Sequence, residues 1–250
     1  MMHLVGYSQS VDPGGAFVSL SAMLDPVSTV SGTDVLVPEL NKLAGALAIV
    51  DKTATAQARL SSPSILSRGF QYYLSKLDDV GTRVGQDMLN DLFDNPIELT
   101  QLEALQFQIN SDPASATRQY GFVWLSDGKV APASGEIMTI RCTASITASA
   151  GAWVNGAINF PVSLKAGKYQ IVGMRVEASG GIAARLVIPG LFWRPGVPCV
   201  VSDEQPDYSR FRMGNAGVFG EFQHSTPPTL DFCGSSGSSQ IIYLDVIYVA

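Results

Sequence analysis

The run Gln240 to Ala250, QIIYLDVIYVA, constrains this chain more than any other. Its residues are β-branched or aromatic, the types that suit a pleated, packed surface. Ile241, Tyr243, Asp245, Ile247 and Val249 alternate with Ile242, Leu244, Val246 and Tyr248. Both sets are apolar except for Asp245. A strand apolar on both faces is covered on both faces. The run is therefore expected inside a sandwich or beneath a neighbour, and not at an exposed edge.

Upstream, short strand-like runs recur at regular spacing from Arg118 onward. They are expected at Gln119–Leu125, Glu136–Ala148, Ala152–Phe160, Tyr169–Ala178, Ala183–Ile188, Cys199–Ser202, Val218–His224, Leu230–Cys233 and Ile241–Val249. Turn chemistry separates them, as at Ser126-Asp127-Gly128, Pro189-Gly190 and Gly234-Ser235-Ser236-Gly237. In Glu136–Ala148 the core face is Met138, Ile140, Cys142, Ala144 and Ile146. Eight or nine such strands without helical crossovers indicate an antiparallel β-sandwich or barrel.

The N-terminal part reads as β-rich with one or two short helices. Pro38 suits a first helical turn, and Leu40, Leu43, Ala44, Leu47 and Ala48 repeat at the spacing of one buried face. A helix is expected near 38–50, and a shorter one around Val84–Phe93. Ser111-Asp112-Pro113 closes a strand, and 111–117 is the expected junction. The domains are then 1–117, a β-rich part with the helix, and 118–250, a β-sandwich.

Charged residues make up only 15 % of the chain, against about 25 % in typical soluble domains. Residues 1–115 hold 6 Lys/Arg and 13 Asp/Glu (−7), and 116–250 hold 10 and 9 (+1). Neither half offers the basic field of a strong nucleic-acid binder. Cys142, Cys199 and Cys233 form no C-x-x-C pair and read as buried free thiols. No apolar run reaches the ~18 residues of a transmembrane segment. The N-terminus MMHLVGYSQS lacks the features of a secretory signal.

The chemistry-bearing residues nominate no catalytic set. His3 and His224 are the histidines, and no G-x-S-x-G elbow or H-E-x-x-H pattern accompanies them. The chain is expected not to be an enzyme and to carry no cofactor. Asp203, Glu204 and Asp207 form the tightest acidic group, where Ca²⁺ could find several oxygens. Ile188 to Val200, IPGLFWRPGVPCV, holds three prolines and cannot be a regular central strand. As a loop it brings Phe192, Trp193 and Arg194 to or near the surface. Tyr208, Phe211 and Arg212 form a second aromatic–Arg group. These six, with the 38–50 helix, are the candidate subunit contacts, because aromatic residues and Arg often anchor interfaces.

Low charge, Ala/Gly/Ser/Thr-rich strands, the Pro-containing 188–200 loop and the closing QIIYLDVIYVA strand together give a texture that resembles the jelly-roll coat proteins of icosahedral viruses and phages. The resemblance covers 118–250 best and implies a jelly roll, single or as a compressed double. It implies a structural, self-assembling capsid subunit, found in the virion and made in the host cytoplasm. Its partners would be copies of itself and other virion proteins. The alternative is a carbohydrate- or receptor-binding β-sandwich, with Trp153, Trp193 and Tyr208 stacking on sugar rings.

Overall fold

Period-two burial runs through the chain. In the strand Ala104–Asn110, Leu105, Phe107 and Ile109 are buried while the residues between them are half-exposed. The computed structural model describes residues 1–53, 55–69, 71–113, 115–129, 133–161, 163–200 and 209–249. It is mainly β and divides into two units. The first comprises Leu4–Val84 and Met88–Gly128, the second Lys129–Ala250 with Met1–His3 and Gly85–Asp87.

The strands leading through the first unit are β1 (Met2–Val11), β2 (Val18–Ser19), β3 (Val30–Ser31), β4 (Asp34–Leu36), β5 (Lys42–Val50), β6 (Gln57–Ser61), β7 (Tyr72–Tyr73), β8 (Asp78–Asp79), β9 (Asn90–Asp91), β10 (Ile97–Glu98), β11 (Ala104–Asn110) and β12 (Thr117–Ser126). One sheet runs β1-β12-β5-β10, with β8 and β9 also on β5. The other runs β3-β4-β11-β6-β7, with β2 on β11. A short helix, α1 (Pro63–Ser67), follows β6; Ser62 caps it and Pro63 opens it.

The second unit holds β13 (Ile137–Ala144), β14 (Val154–Ala157), β15 (Lys168–Glu177), β16 (Gly181–Val187), β17 (Gly196–Pro198), β18 (Gly220–Gln223), β19 (Thr229–Gly234) and β20 (Gln240–Val249). Its sheets run β13-β20-β15-β18 and β14-β19-β16-β17. Counted along the chain, these orders are 1-8-3-6 and 2-7-4-5, two interlocked Greek keys, which is a jelly roll. Taking β1, β4, β5, β6, β7, β10, β11 and β12 as the eight positions, the first unit has the same two orders. The chain is a tandem pair of jelly rolls.

Two sequence expectations are corrected. The segment 38–50 is not a helix; Lys42–Val50 is β5, buried from Leu43 to Val50. Its Leu spacing fits both periods, and two-sided burial decides for the strand. A Cβ on Gly45 would lie 3.4–3.5 Å from Leu89 and Phe93. The alanine face meets the opposite sheet, where Phe107 of β11 lies over Gly121, the partner of Ala48. Tyr7 joins this core 5.7 Å from Phe107 and donates its hydroxyl to Leu105 O. Small residues on β5 and β12 thus leave room for large rings from β11 and β1. The expected Val84–Phe93 helix is likewise only a 3₁₀ turn, Gly85–Met88, followed by β9.

The expected 117/118 boundary is also displaced. β12 lies between β1 and β5 and is the eighth strand of the first jelly roll, so the division follows Gly128. Ser111-Asp112-Pro113 lies in the connection between the seventh and eighth strands. A tight turn and a domain junction use the same residues, so turn chemistry alone does not distinguish them.

The closing run is no edge: β20 sits between β13 and β15, with Ile242, Leu244 and Val246 fully buried, while on its other face Asp245 and Ile247 are buried and Ile241, Tyr243 and Val249 half-exposed. Cys142, Cys199 and Cys233 are buried free thiols, and burial pushes the Cys142 thiol up to about 12. Among the described residues no helix is long and apolar enough to cross a membrane.

Gly121 is the position where a single methyl group tests the first sandwich. A Cβ there would sit 2.4 Å from the Phe107 ring. Gly121→Ala is expected to destabilise the protein by about 1–3 kcal/mol through overpacking. Urea unfolding measures this, and an unchanged midpoint would contradict the packing described.

Candidate functional site

The loop between β16 and β17 begins with a tight turn. Leu191 N–H donates to Ile188 O at 3.0 Å, and Gly190 takes the left-handed conformation (φ 82°) that the turn needs. The loop then projects Phe192, which is 62 % exposed. Trp193, half-buried, packs edge-on to Phe192 with ring centres 5.0 Å apart, and its other neighbour is the buried His3 ring at 5.8 Å. Arg194 turns inward. Its N–H donates to His3 Nδ1 at 3.2 Å, and its guanidinium pairs with Asp231.

Asp231 is the hub of a polar row on three adjacent strands. Arg185 stands opposite it in register and donates Nε at 3.0 Å. Asn155 of β14 donates Nδ2 at 2.9 Å. The Trp153 ring lies 4.3 Å from the Arg185 guanidinium. Arg185 and Asp231 are essentially inaccessible. A buried carboxylate needs such partners, because an unpaired one costs several kcal/mol. Arg194 thus anchors the loop internally through Asp231 while its side chain stays partly exposed. Phe192 remains outward. Trp153, a candidate sugar stacker, has a face covered by Arg185.

The second aromatic–Arg group is also internal. Phe211 is fully buried. Arg212 donates Nε to Asp245 Oδ2 at 2.8 Å and Nη2 to Oδ1 at 3.1 Å. Thr139 Oγ1 donates to Oδ1 at 2.6 Å and Met213 N–H to Oδ2 at 2.8 Å. Gly173 on β15 permits this close approach, since a Cβ there would be 2.9 Å from the Arg212 backbone. Burial opposes ionisation of Asp245, but the Arg212, Thr139 and Met213 hydrogen bonds outweigh it and hold the carboxyl below its ordinary range. Phe211 and Arg212 are therefore corrected from surface contacts to core. Tyr208 and the acidic group Asp203, Glu204 and Asp207 lie outside the described residues.

One feature escaped the sequence reading. Met138 and Ile140 belong to the core face by alternation, yet Met138 is 42 % exposed and Ile140 half-exposed. They line a cavity of about 860 Å³ with Leu164, Lys165, Tyr169 and Tyr248. Tyr169 and Tyr248 donate their hydroxyls to Lys165 O (3.0 Å) and Ala166 O (2.8 Å), fixing one wall. The Lys165 ammonium lies 4.5 Å from the Tyr248 ring. The structure shortens the strand expected at Ala152–Phe160 to the four residues of β14, against eight in β13, and the sequence carried no signal of this.

No family model matches this chain, and no curated protein matches it. Among solved structures it is similar to the crystal structure of the major capsid protein P2 from bacteriophage PM2. Identity is 10 %, coverage is 100 % of this chain and 98 % of that one, and the TM-score is 0.27. At so low a TM-score, the fold is read from the strand order alone.

Replacing Asp245 by Asn leaves Arg212 buried without a counter-charge and is expected to cost about 3–5 kcal/mol. The lowered Asp245 pKa makes its stabilisation complete above the unfolded value of about 4 and lost as pH falls through the lower folded value. Urea unfolding at pH 7 and pH 3 should show a smaller loss on acidification in Asp245→Asn than in the wild type. Equal losses would remove Asp245 from the acid response.

Proposed function

We propose that this chain is a structural, self-assembling subunit of an icosahedral virus or phage shell. The observation that carries the reading is the tandem jelly roll, two copies of one strand order in a single chain. Duplicated modules let each chain supply two similar blocks to a tiled surface. Jelly rolls also serve as lectin and cupin domains, so the fold sets only the class.

Backbone strain supports assembly. Leu102 (φ 65°) and Met213 (φ 54°) are the non-glycine residues with positive φ among those described. Both are also strongly exposed, at 68 % and 62 %. A left-handed conformation costs a non-glycine residue roughly 1–2 kcal/mol, and such strain persists mainly where function holds it. Here it displays an apolar side chain to the outside. Partners in a shell would bury such residues, as they would Phe192.

The test is assembly measured beside stability. Leu102→Gly and Met213→Gly should leave stability unchanged or raise it by up to about 1 kcal/mol. Size-exclusion chromatography and negative-stain microscopy should show closed particles for the wild type and impaired assembly for the variants. A wild-type chain that stays monomeric at all concentrations and is retained on a glycan array would refute the coat reading.

One observation favours sugar binding as a second reading. On the first unit, the Arg59 guanidinium lies 3.9 Å from the Phe17 ring centre beside the half-exposed Tyr73 ring. Gln71 and Gln108 accept its hydrogen bonds. Planar rings and amides on a sheet face suit a pyranose. Under this reading, Tyr73→Ala should abolish glycan-array retention without changing the unfolding midpoint; retained binding would eliminate the site.

A further inference from the structure

We propose that the cavity beside β13 binds a free single-chain amphiphile with an anionic head, a fatty carboxylate. Its alkyl chain lies along Met138, Ile140 and Leu164, and its head meets the Lys165 ammonium at the rim. The site lies within the second unit and is independent of any assembly the chain enters.

The backbone makes the gap. β13 is the end strand of its sheet. Beyond it, the connection from β14 to β15 returns antiparallel and pairs at Thr143 and Asn159, through hydrogen bonds of 3.1 and 2.7 Å. Continued, that register would set Ser163 beside Thr139 and Lys165 beside Ile137. Among the described residues no pair continues it, and the two segments part around the cavity. Burial along one face of β13 records the parting. Cys142 and Ala144 are buried, Ile140 is half-exposed and Met138 is 42 % exposed. The core face thus runs out of the core at its N-terminal end, and an apolar occupant would complete it.

The lining suits an alkyl chain better than a polar ligand. Leu164, Ile247 and Val249 add aliphatic surface, and Tyr169 and Tyr248 present rings. Both tyrosine hydroxyls already donate to backbone carbonyls, and the Thr139 hydroxyl donates to Asp245. At about 860 Å³ the space falls within the roughly 300–1,000 Å³ range of small-molecule sites. Two exposed charges border it, Lys165 and Glu136. Among the described residues Lys165 makes no ion pair, and its ammonium rests 4.5 Å from the Tyr248 ring. A carboxylate at the end of a chain lying in the cavity supplies the missing counter-charge. One cation offset by one acid is not the basic cluster that holds a protein to an anionic bilayer. The occupant is therefore a free chain and not a lipid within a membrane.

The experiment titrates the full chain with monomeric octanoate, decanoate and dodecanoate by isothermal titration calorimetry. The expected result is one ligand per protein, tightening by about ten- to fifteen-fold for each two methylenes until the cavity is full. Lys165→Gln should weaken decanoate by about two- to five-fold and leave neutral decanol unchanged, and Glu136→Gln should tighten decanoate by about the same factor. Met138→Trp, which fills the space, and Leu164→Glu, which puts a charge in the lining, should each abolish binding. Their urea midpoints show whether they fold. Affinity that ignores chain length, or binding that survives both lining variants in folded protein, would overturn the site. If decanol and decanoate respond alike to Lys165→Gln, the anionic head is wrong. Capture by anionic vesicles without uptake of monomeric chains would replace the free chain with a membrane. All of these outcomes leave the coat reading to its own assembly test.

Discussion

A carboxylate in the middle of a sheet must be neutralised where it stands, and two such carboxylates organise the second jelly roll. Asp245 lies on β20, between β13 and β15, and Asp231 lies on β19, between β14 and β16. Each draws an arginine from a loop rather than relying on its own sheet alone. Arg212 crosses Gly173 to reach Asp245, which buries Phe211 and leaves Met213 facing solvent at a strained φ. Arg194 reaches Asp231, which fixes the base of the loop that displays Phe192. The outward apolar residues are thus mounted on buried ion pairs. Loops held this way lose little conformational entropy when a partner covers them.

The β-strands from Arg118 onward were legible in the sequence because their alternation is regular and their separators are rich in Gly, Pro and Ser. The closing strand was legible for a stronger reason: a strand with two apolar faces is poorly suited to an edge, and β20 lies between two neighbours. Lys42–Val50 was misread because a strand buried on both faces lacks alternation, and its leucines also fit a helical spacing. The destinations of Arg194 and Arg212 were not legible. Their partners lie 37 and 33 residues away, and an arginine beside aromatic residues reads the same whether it faces a neighbour or its own core.

The duplication was invisible for a related reason. What the two units share is the order in which strands are laid down, and that order is carried by turn positions and apolar periodicity. Their cores solve packing differently. The first puts Phe107 over a bare glycine backbone at Gly121, and the second puts Ile146 against Gly156. Each unit repeats a large side chain over a glycine on the facing strand, with different residues at different positions. Identity at particular sites was never needed to preserve the topology.

The position of the last strand has a consequence for biosynthesis. In each unit the eighth strand inserts between the first and the third, so the sheet holding it is complete only once that strand has been made. Before then β13 and β15 expose unpaired edges, and pairing across more than a hundred residues is slow by its topology. The first unit's strand set is complete at Ser126, while the second is still being synthesised. During translation the nascent chain would pass through a stage with one finished module and one set of open strands. That interval is when the chain is most exposed to mispairing with other copies of itself.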